Sequence, residues 1–303
     1  MPRAGTTQTW TTRRLLNWMV DAFTKHGLDS ARLCAELLLA HVIGCDRMRL
    51  YMEADRPATP LERQSLRDLV ARALKHEPVQ YLVGEAWFYM LPFKVDPRVL
   101  IPRPATETIV EQVLLHSRAE PGFGGKEGDG VVLADVCTGS GCVAIALAKN
   151  LPKAHVLATD VSTDALALAR ENAQRHAVLD RIEFLEGDLL EPLRQSGARN
   201  LHYLTSNPPY IPDEEWDDVA PNVKNYEPES ALRGGGDGLK FVRPILEEAA
   251  AFLRPGGLVL VEVAASRAAT ALEIAREQTG LEGERIETDF EGLPRVVVAR
   301  RRS

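Results

Sequence analysis

"LADVCTGSGCVAIALA", Leu133–Ala148, is the stretch on which the reading of the fold turns. Its first half is an apolar run that reads as a buried strand, and its second half reads as a helix. Gly139 and Gly141 stand between them. Glycines at such a turn let a ligand approach the backbone closely, at the carboxyl end of the sheet where open α/β folds bind ligands. Asp160 ends the next apolar run, "AHVLATDV", 19 residues after Gly141. An acid there is placed to accept hydrogen bonds from a ribose. Two phosphate-binding readings fit poorly. No Gly-Lys-Ser/Thr follows, so this is not a P-loop, and the third glycine of a dinucleotide fingerprint is missing.

Working outward, strand and helix patterns alternate toward the C-terminus. "STDALALARENAQRHA" reads as a helix, followed by "RIEFLEGDLL" and the strand "LHYLTSN". The helix "PILEEAAAFLRPGG" precedes the strand "LVLVEV", another helix follows, and "LPRVVVARR" closes the chain as a strand. This alternation implies a mainly parallel sheet covered on both faces. Toward the N-terminus the pattern is helical. In "SARLCAELLLAHVIG" the residues Leu33, Leu37, Ala40 and Ile43 follow helical spacing. In "ATPLERQSLRDLVARALKHEP", Thr59 is an N-cap, Pro60 the first helical residue and Glu62 the partner in a capping box. Leu66, Leu69, Val70 and Ala73 form its apolar face, and Pro78 stops it. Between these regions, aromatic and β-branched residues alternate with turn formers, which suggests a hairpin connector. The expected organisation is a helical domain over 1–78, a hairpin linker over 79–104 and an α/β domain over 105–303.

The turn Cys137-Thr138-Gly139-Ser140-Gly141 resembles the loop of the class I S-adenosylmethionine methyltransferases, usually Asp-x-Gly-x-Gly-x-Gly. Cys137 stands where the first glycine would be and must adopt its backbone angles without glycine's freedom. The resemblance implies a Rossmann-like sheet, S-adenosylmethionine as cofactor, and a cofactor site formed by these five residues with Asp160 and Asn207. It also implies an adenine contact from Asp188 or its neighbour Leu189, in "EGDLLEP" after the third strand. A generic glycine turn and a simple turn aspartate are the plainer readings of the same residues.

Asn207-Pro208-Pro209-Tyr210 follows the strand "LHYLTS" and so also sits at a strand end, near the glycine turn. The tetrapeptide suits a planar NH2 group. The Asn207 side-chain carbonyl accepts one hydrogen bond and the Pro208 backbone carbonyl a second. The prolines contribute no N–H and fix φ, so the acceptors are held. Tyr210 offers a flat face for stacking. Two acceptors on one NH2 aim its nitrogen at an incoming methyl group. The plainer alternative is a rigid proline turn carrying a core tyrosine.

The same tetrapeptide occurs in methyltransferases acting on adenine amino groups and on glutamine amides, and the flanking residues separate them. Pro78, Tyr81, Leu82, Gly84 and Phe88, then Ile101, Pro102, Arg103, Pro104, Thr106 and Glu107, resemble the linker of the HemK/PrmC family. "YEPESALRGGGDGL" (Tyr226–Leu239) is similar to the family's segment after the tetrapeptide. Ala105 departs from it, standing where an acid often precedes Thr-Glu. The resemblance implies methylation of the glutamine in the Gly-Gly-Gln motif of class I peptide release factors, by a monomer whose helical domain helps hold that protein. A glutamine of a large-subunit ribosomal protein is the alternative substrate, and DNA adenine a second. A third reading is an inactive methyltransferase fold serving as a binding module.

Composition bears on these choices. The formal charge is −7, with 12 Lys/Arg against 10 Asp/Glu in residues 1–85 and 24 against 33 in 86–303. Neither part has the dense basic surface of a duplex reader, so no direct nucleic-acid partner is expected. No apolar run reaches membrane-span length, and "MPRAGTTQTWTTRRLL" lacks a secretion signal's apolar core, leaving a short frayed arm as its expected form. Cys34, Cys45, Cys137 and Cys142 form no metal-binding spacing, which suggests a reduced, cytoplasmic protein without a bound metal. "DEEWDD" (Asp213–Asp218) lacks the spacing of a calcium loop and reads as a solvated loop. Arg103 and Glu107 are candidates to brace the linker.

Overall fold

A computed structural model describes residues 9–303; the frayed arm expected at the extreme N-terminus lies, over residues 1–8, outside them. The chain divides into two units, one formed by residues up to Gly84 together with Pro221–Tyr226, the other by Glu85–Ala220 and Glu227–Ser303.

The first unit contains α1 (Thr12–Lys25), α2 (Ala31–Ile43), α3 (Arg47–Met52), α4 (Pro60–Ala73) and α5 (Val79–Val83). At α4 the capping box forms: the Thr59 hydroxyl accepts from Glu62 N at 3.2 Å and the Glu62 carboxylate accepts from Thr59 N at 2.8 Å. Such a cap contributes about 1 kcal/mol. Its buried face is Leu66, Val70 and Ala73. Of the face expected for α2, Ala40 is buried and Leu37 and Ile43 pack half-buried against the core, but Leu33 is exposed, and Ala35, Leu38 and Leu39 are buried as well. Apolar residues surround this helix, so spacing alone identified only part of the packed side. Residues 79–83, expected in the hairpin linker, are helical, and the left-handed Gly84 ends them.

In the second unit the hairpin β1 (Glu85–Phe88) and β2 (Leu91–Lys94) precedes α6 (Glu107–Ala119). There follow β3 (Val132–Val136), α7 (Cys142–Asn150), β4 (His155–Asp160), α8 (Thr163–Arg175), β5 (Ile182–Glu186), α9 (Glu191–Gln195) and β6 (Leu201–Ser206). The short α10 (Pro221–Lys224) lies in the segment that belongs to the helical unit. The chain closes with α11 (Val242–Glu248), β7 (Leu253–Glu262), α12 (Ala268–Glu277), β8 (Leu281–Thr288) and β9 (Pro294–Arg301).

The sheet order is β5-β4-β3-β6-β7-β9-β8, with β9 antiparallel to both β7 and β8 and the other pairs parallel. Side chains alternate between two cores. Leu133, Tyr203, Leu258 and Leu260 enter one with α6 and α7; Ala134, Leu204, Val259 and Val261 enter the other with α11 and α12. Burial on both faces explains the nearly continuous apolar strands. Strand β8 was not foreseen, because "LEGERIET" is charged and interrupted by Gly283; it forms the sheet edge, where charges discourage further pairing. The order in which successive strands are added reverses between the parallel neighbours β3 and β6, the position at which doubly wound sheets open a crevice.

Candidate active site

Val136 and Ser206 are the last paired residues of β3 and β6. The turns that follow, beginning at Cys137 and Asn207, therefore start side by side. They open onto a cleft of about 910 Å³. Cys137, Thr138, Gly139, Ser140, Asp160, Asp188, Leu189, Asn207 and Pro209 line it. Gly141, Pro208 and Tyr210 are not among its lining residues.

The glycine turn is held mainly from within its own strands. Asp135, wholly buried on β3, accepts from the Thr138 hydroxyl at 2.6 Å, the Thr205 hydroxyl at 2.9 Å and Ala144 N at 3.3 Å. Burial pushes its pKa up from 3.8 to about 6 against the opposing effect of these bonds. Asp160 accepts from Gly139 N at 2.8 Å and Ser162 N at 2.9 Å, so it fastens the turn to β4. Burial raises its pKa and those backbone donors restrain the rise. Cys137 takes φ +59°, in the left-handed region. Gly141 caps α7 at φ +79°, where an added Cβ would crowd Ile145 and Ala169 at 3.0 and 3.1 Å. Its part is to let α7 and α8 pack closely beneath the turn.

The second turn is held from farther away. Asn207 Nδ2 donates to the Thr106 hydroxyl at 3.1 Å. The Tyr210 hydroxyl donates to Glu262 Oε1 at 3.1 Å. Tyr210 is half-buried, with its hydroxyl tied to Glu262; burial holds its pKa well above the usual phenol range, and the neighbouring Glu262 adds to the shift. Glycines behind the turn are required by contact. An added Cβ at Gly234 would meet Tyr210 Cα at 2.7 Å, and one at Gly238 would meet the Tyr210 carbonyl oxygen at 2.6 Å. The "RGGGDGL" run therefore lies directly against the tetrapeptide.

Arg103 and Glu107 brace different things. Arg103 pairs with the buried Glu227, which also accepts from Ile101 N at 3.0 Å and so joins "IPRP" to "YEPES". Glu107 accepts from Tyr89 N at 2.7 Å and ties down the hairpin turn. Asp213–Asp218 forms a 3-10 helix rather than an open loop; Asp213 pairs with Arg233 and Glu214 with Arg267. Sequence reasoning did not single out Asp135, Gly187, Glu227 or Glu262. Glu262 left a readable signal: a lone carboxylate inside the apolar strand "LVLVEV" is rarely buried without a partner.

Known proteins agree with this architecture. The family models for the PrmC N-terminal domain and the methyltransferase small domain match residues 14–84 and 126–237. A release factor glutamine methyltransferase of Geobacter sulfurreducens is 42% identical over 96% of this chain and 97% of its own length. The chain belongs to the release factor glutamine methyltransferase family. The relative of the same description from Chlorobaculum tepidum is 42% identical to this methyltransferase, over 86% of its chain and 87% of the relative. A crystal structure of a methyltransferase from Pyrococcus furiosus shares the methyltransferase's fold, with a TM-score of 0.50 at 18% identity over 77% of this chain and 98% of that one.

Proposed function

We propose that this enzyme transfers the methyl group of S-adenosylmethionine to the side-chain amide nitrogen of the glutamine in the Gly-Gly-Gln motif of class I peptide release factors. The observation that carries the reading is the adjacency of two turns on paired strands, one suited to an adenosyl group and one to a planar amide. The relatives' names supply the substrate class.

The residues fit the cofactor. Asp160 faces the cleft, and each carboxylate oxygen, already accepting one backbone N–H, retains a lone pair for a ribose hydroxyl. Asp188 and Leu189 line the same cleft, where we assign them to the adenine. When bound, S-adenosylmethionine supplies an electrophilic methyl carbon on a positively charged sulfur. The chain's own contribution is aim. An amide nitrogen is a weak nucleophile because its lone pair is delocalised, and orientation can lower the barrier by up to ~7–11 kcal/mol. We assign the two amide hydrogens to Asn207 Oδ1, which lines the cleft, and to the carbonyl of Pro208, which does not line it but follows Asn207 directly, with the prolines fixing the backbone. Held at Asp160, Asp188 and Leu189, the cofactor would supply its methyl carbon to the amide nitrogen, with the C–S bonding pair leaving on sulfur. The alkylated nitrogen then releases a proton to solvent, so no strong base is needed before attack.

We assign substrate holding to the helical unit, residues 1–78 by the sequence reading, and chemistry to the unit that carries the cleft. We propose that the enzyme acts as a monomer. Release factors work in the cytoplasm, which is where we place the reaction. Among the described residues no helix is long and apolar enough to cross a membrane. Incubation with labelled S-adenosylmethionine and, separately, a class I release factor, a large-subunit ribosomal protein or DNA, followed by mass spectrometric mapping, tests the proposal. Label on the Gly-Gly-Gln glutamine is expected; label found solely on another acceptor refutes the substrate assignment.

A further inference from the structure

The amide of Asn207 can sit in two orientations related by a half-turn about its last side-chain bond. One turns the oxygen toward the cleft, and the other turns the NH2 group there. The first alone provides an acceptor for a substrate NH2. What selects it lies outside the tetrapeptide.

Asn207 Nδ2 donates to the Thr106 hydroxyl, which is 1% exposed and belongs to the linker motif rather than to a sheet strand. A hydroxyl by itself does not discriminate, because it could equally donate to Asn207 Oδ1. It discriminates once its own proton is engaged elsewhere. We assign that engagement to Glu262, fully buried at the end of β7. Its Oε1 accepts from Tyr210, and its Oε2 is buried without a well-formed hydrogen bond among the described residues. Burial raises the Glu262 pKa, and hydrogen bonding from Thr106 and then Tyr210 opposes the rise. With its proton directed at Glu262, Thr106 can only accept from Asn207. The Asn207 NH2 group must then face Thr106 and its oxygen the cleft.

We propose that Thr106 is a positioning residue that sets the orientation of the Asn207 amide, and that Glu262 holds Thr106 and Tyr210 together so that both ends of the tetrapeptide are aligned for methyl transfer. This rests on the proposed role of Asn207 as the amide acceptor. It assigns a physical task to the threonine of "IPRPATE", 101 residues before its partner.

The test uses the full chain and whichever acceptor the wild type methylates among release factor, ribosomal protein and DNA. A wrong substrate assignment then appears as a different acceptor, and a wrong positioning assignment appears in the variants. Thr106→Val keeps the side chain's volume and removes the hydroxyl. Its kcat is expected to fall ~10²-fold, as for other lost alignments, with KM for the acceptor and affinity for S-adenosylmethionine little changed. Thr106→Ser should recover most of that loss. Glu262→Gln, whose amide can donate toward Thr106 and free its proton to turn around, should lower kcat with the same split. Thr106→Val added to Asn207→Ala should cost little more than Asn207→Ala alone, because the group being positioned is already gone. Should Thr106→Val melt early, Thr106→Ala carries the same expectations. Wild-type kcat in the folded hydroxyl-less variant, or fully multiplicative losses in the double variant, would overturn the proposal.

Discussion

The two turns at the mouth of the cleft solve the same placement problem by opposite means. The turn after β3 uses backbone freedom: Gly139 and Gly141 take left-handed angles, Cys137 is held in one, and acids on β3 and β4 accept from the turn. The turn after β6 uses backbone stiffness, with two prolines that donate nothing, and its orienting partners come from the linker and from the end of β7. On the proposed reading, the first approaches a large ligand closely along its backbone, which glycine permits. On the same reading, the second presents acceptors on a stiff backbone, which proline permits. Binding and aiming should therefore be separable by mutation.

The largest expected effect is on aiming. Asn207→Ala should reduce the methyl-transfer rate by 10²-fold or more while leaving cofactor affinity near wild type, since one oriented contact is lost at the reacting centre. A wild-type rate in a folded Asn207→Ala protein would remove the mechanism. Asp160→Ala should do the reverse, weakening S-adenosylmethionine binding by ~1.5–3 kcal/mol as a charged acceptor disappears. Calorimetry reads this directly, and an unchanged affinity would put the cofactor elsewhere.

The glycine turn also carries a pH signature. Because the folded chain holds the Asp135 proton with a pKa of about 6 against 3.8 for the free group, it binds that proton more tightly than the unfolded chain does. Its stabilising contribution is then complete below 3.8 and is lost as pH rises through about 6. Melting temperatures of the wild type and Asp135→Asn, compared across this window, should show the wild type losing ground as pH rises. A constant difference would mean that Asp135 is not held in this way.

The smallest expected effect concerns Cys137. A non-glycine residue in the left-handed region costs about 1–2 kcal/mol. Cys137→Gly relieves that cost and Cys137→Ala does not, although both remove the sulfur. The glycine variant should therefore be the more stable of the two by about 1 kcal/mol despite its smaller side chain. The opposite order in denaturant melts would show that lost packing outweighs backbone strain here.

Much of this protein was legible because its determinants are local. The capping box of α4 spans four neighbouring residues, the glycine turn is contiguous, and the parallel strands announce themselves by unbroken apolar runs. The face of α2 was legible only in part, since leucine and alanine occur all round it and its neighbours decide which side is buried. Strand β8 was hidden for a related reason: an edge strand needs no apolar run, so its charges masked it.

The same division runs through the site. Sequence alone placed Asp160, Asn207 and the glycines, because each stands at the end of a recognisable strand where the chain must turn. It could not say that Asn207 would meet Thr106, that Tyr210 would point its hydroxyl at Glu262, or that Glu227 would clasp Ile101 and Arg103. Those pairs lie between 52 and 126 residues apart. Backbone propensity acts over a few residues, whereas a hydrogen bond between distant side chains exists only after strand order has brought them within about 3 Å. The chemistry of the turns was written locally, and their alignment was settled by packing.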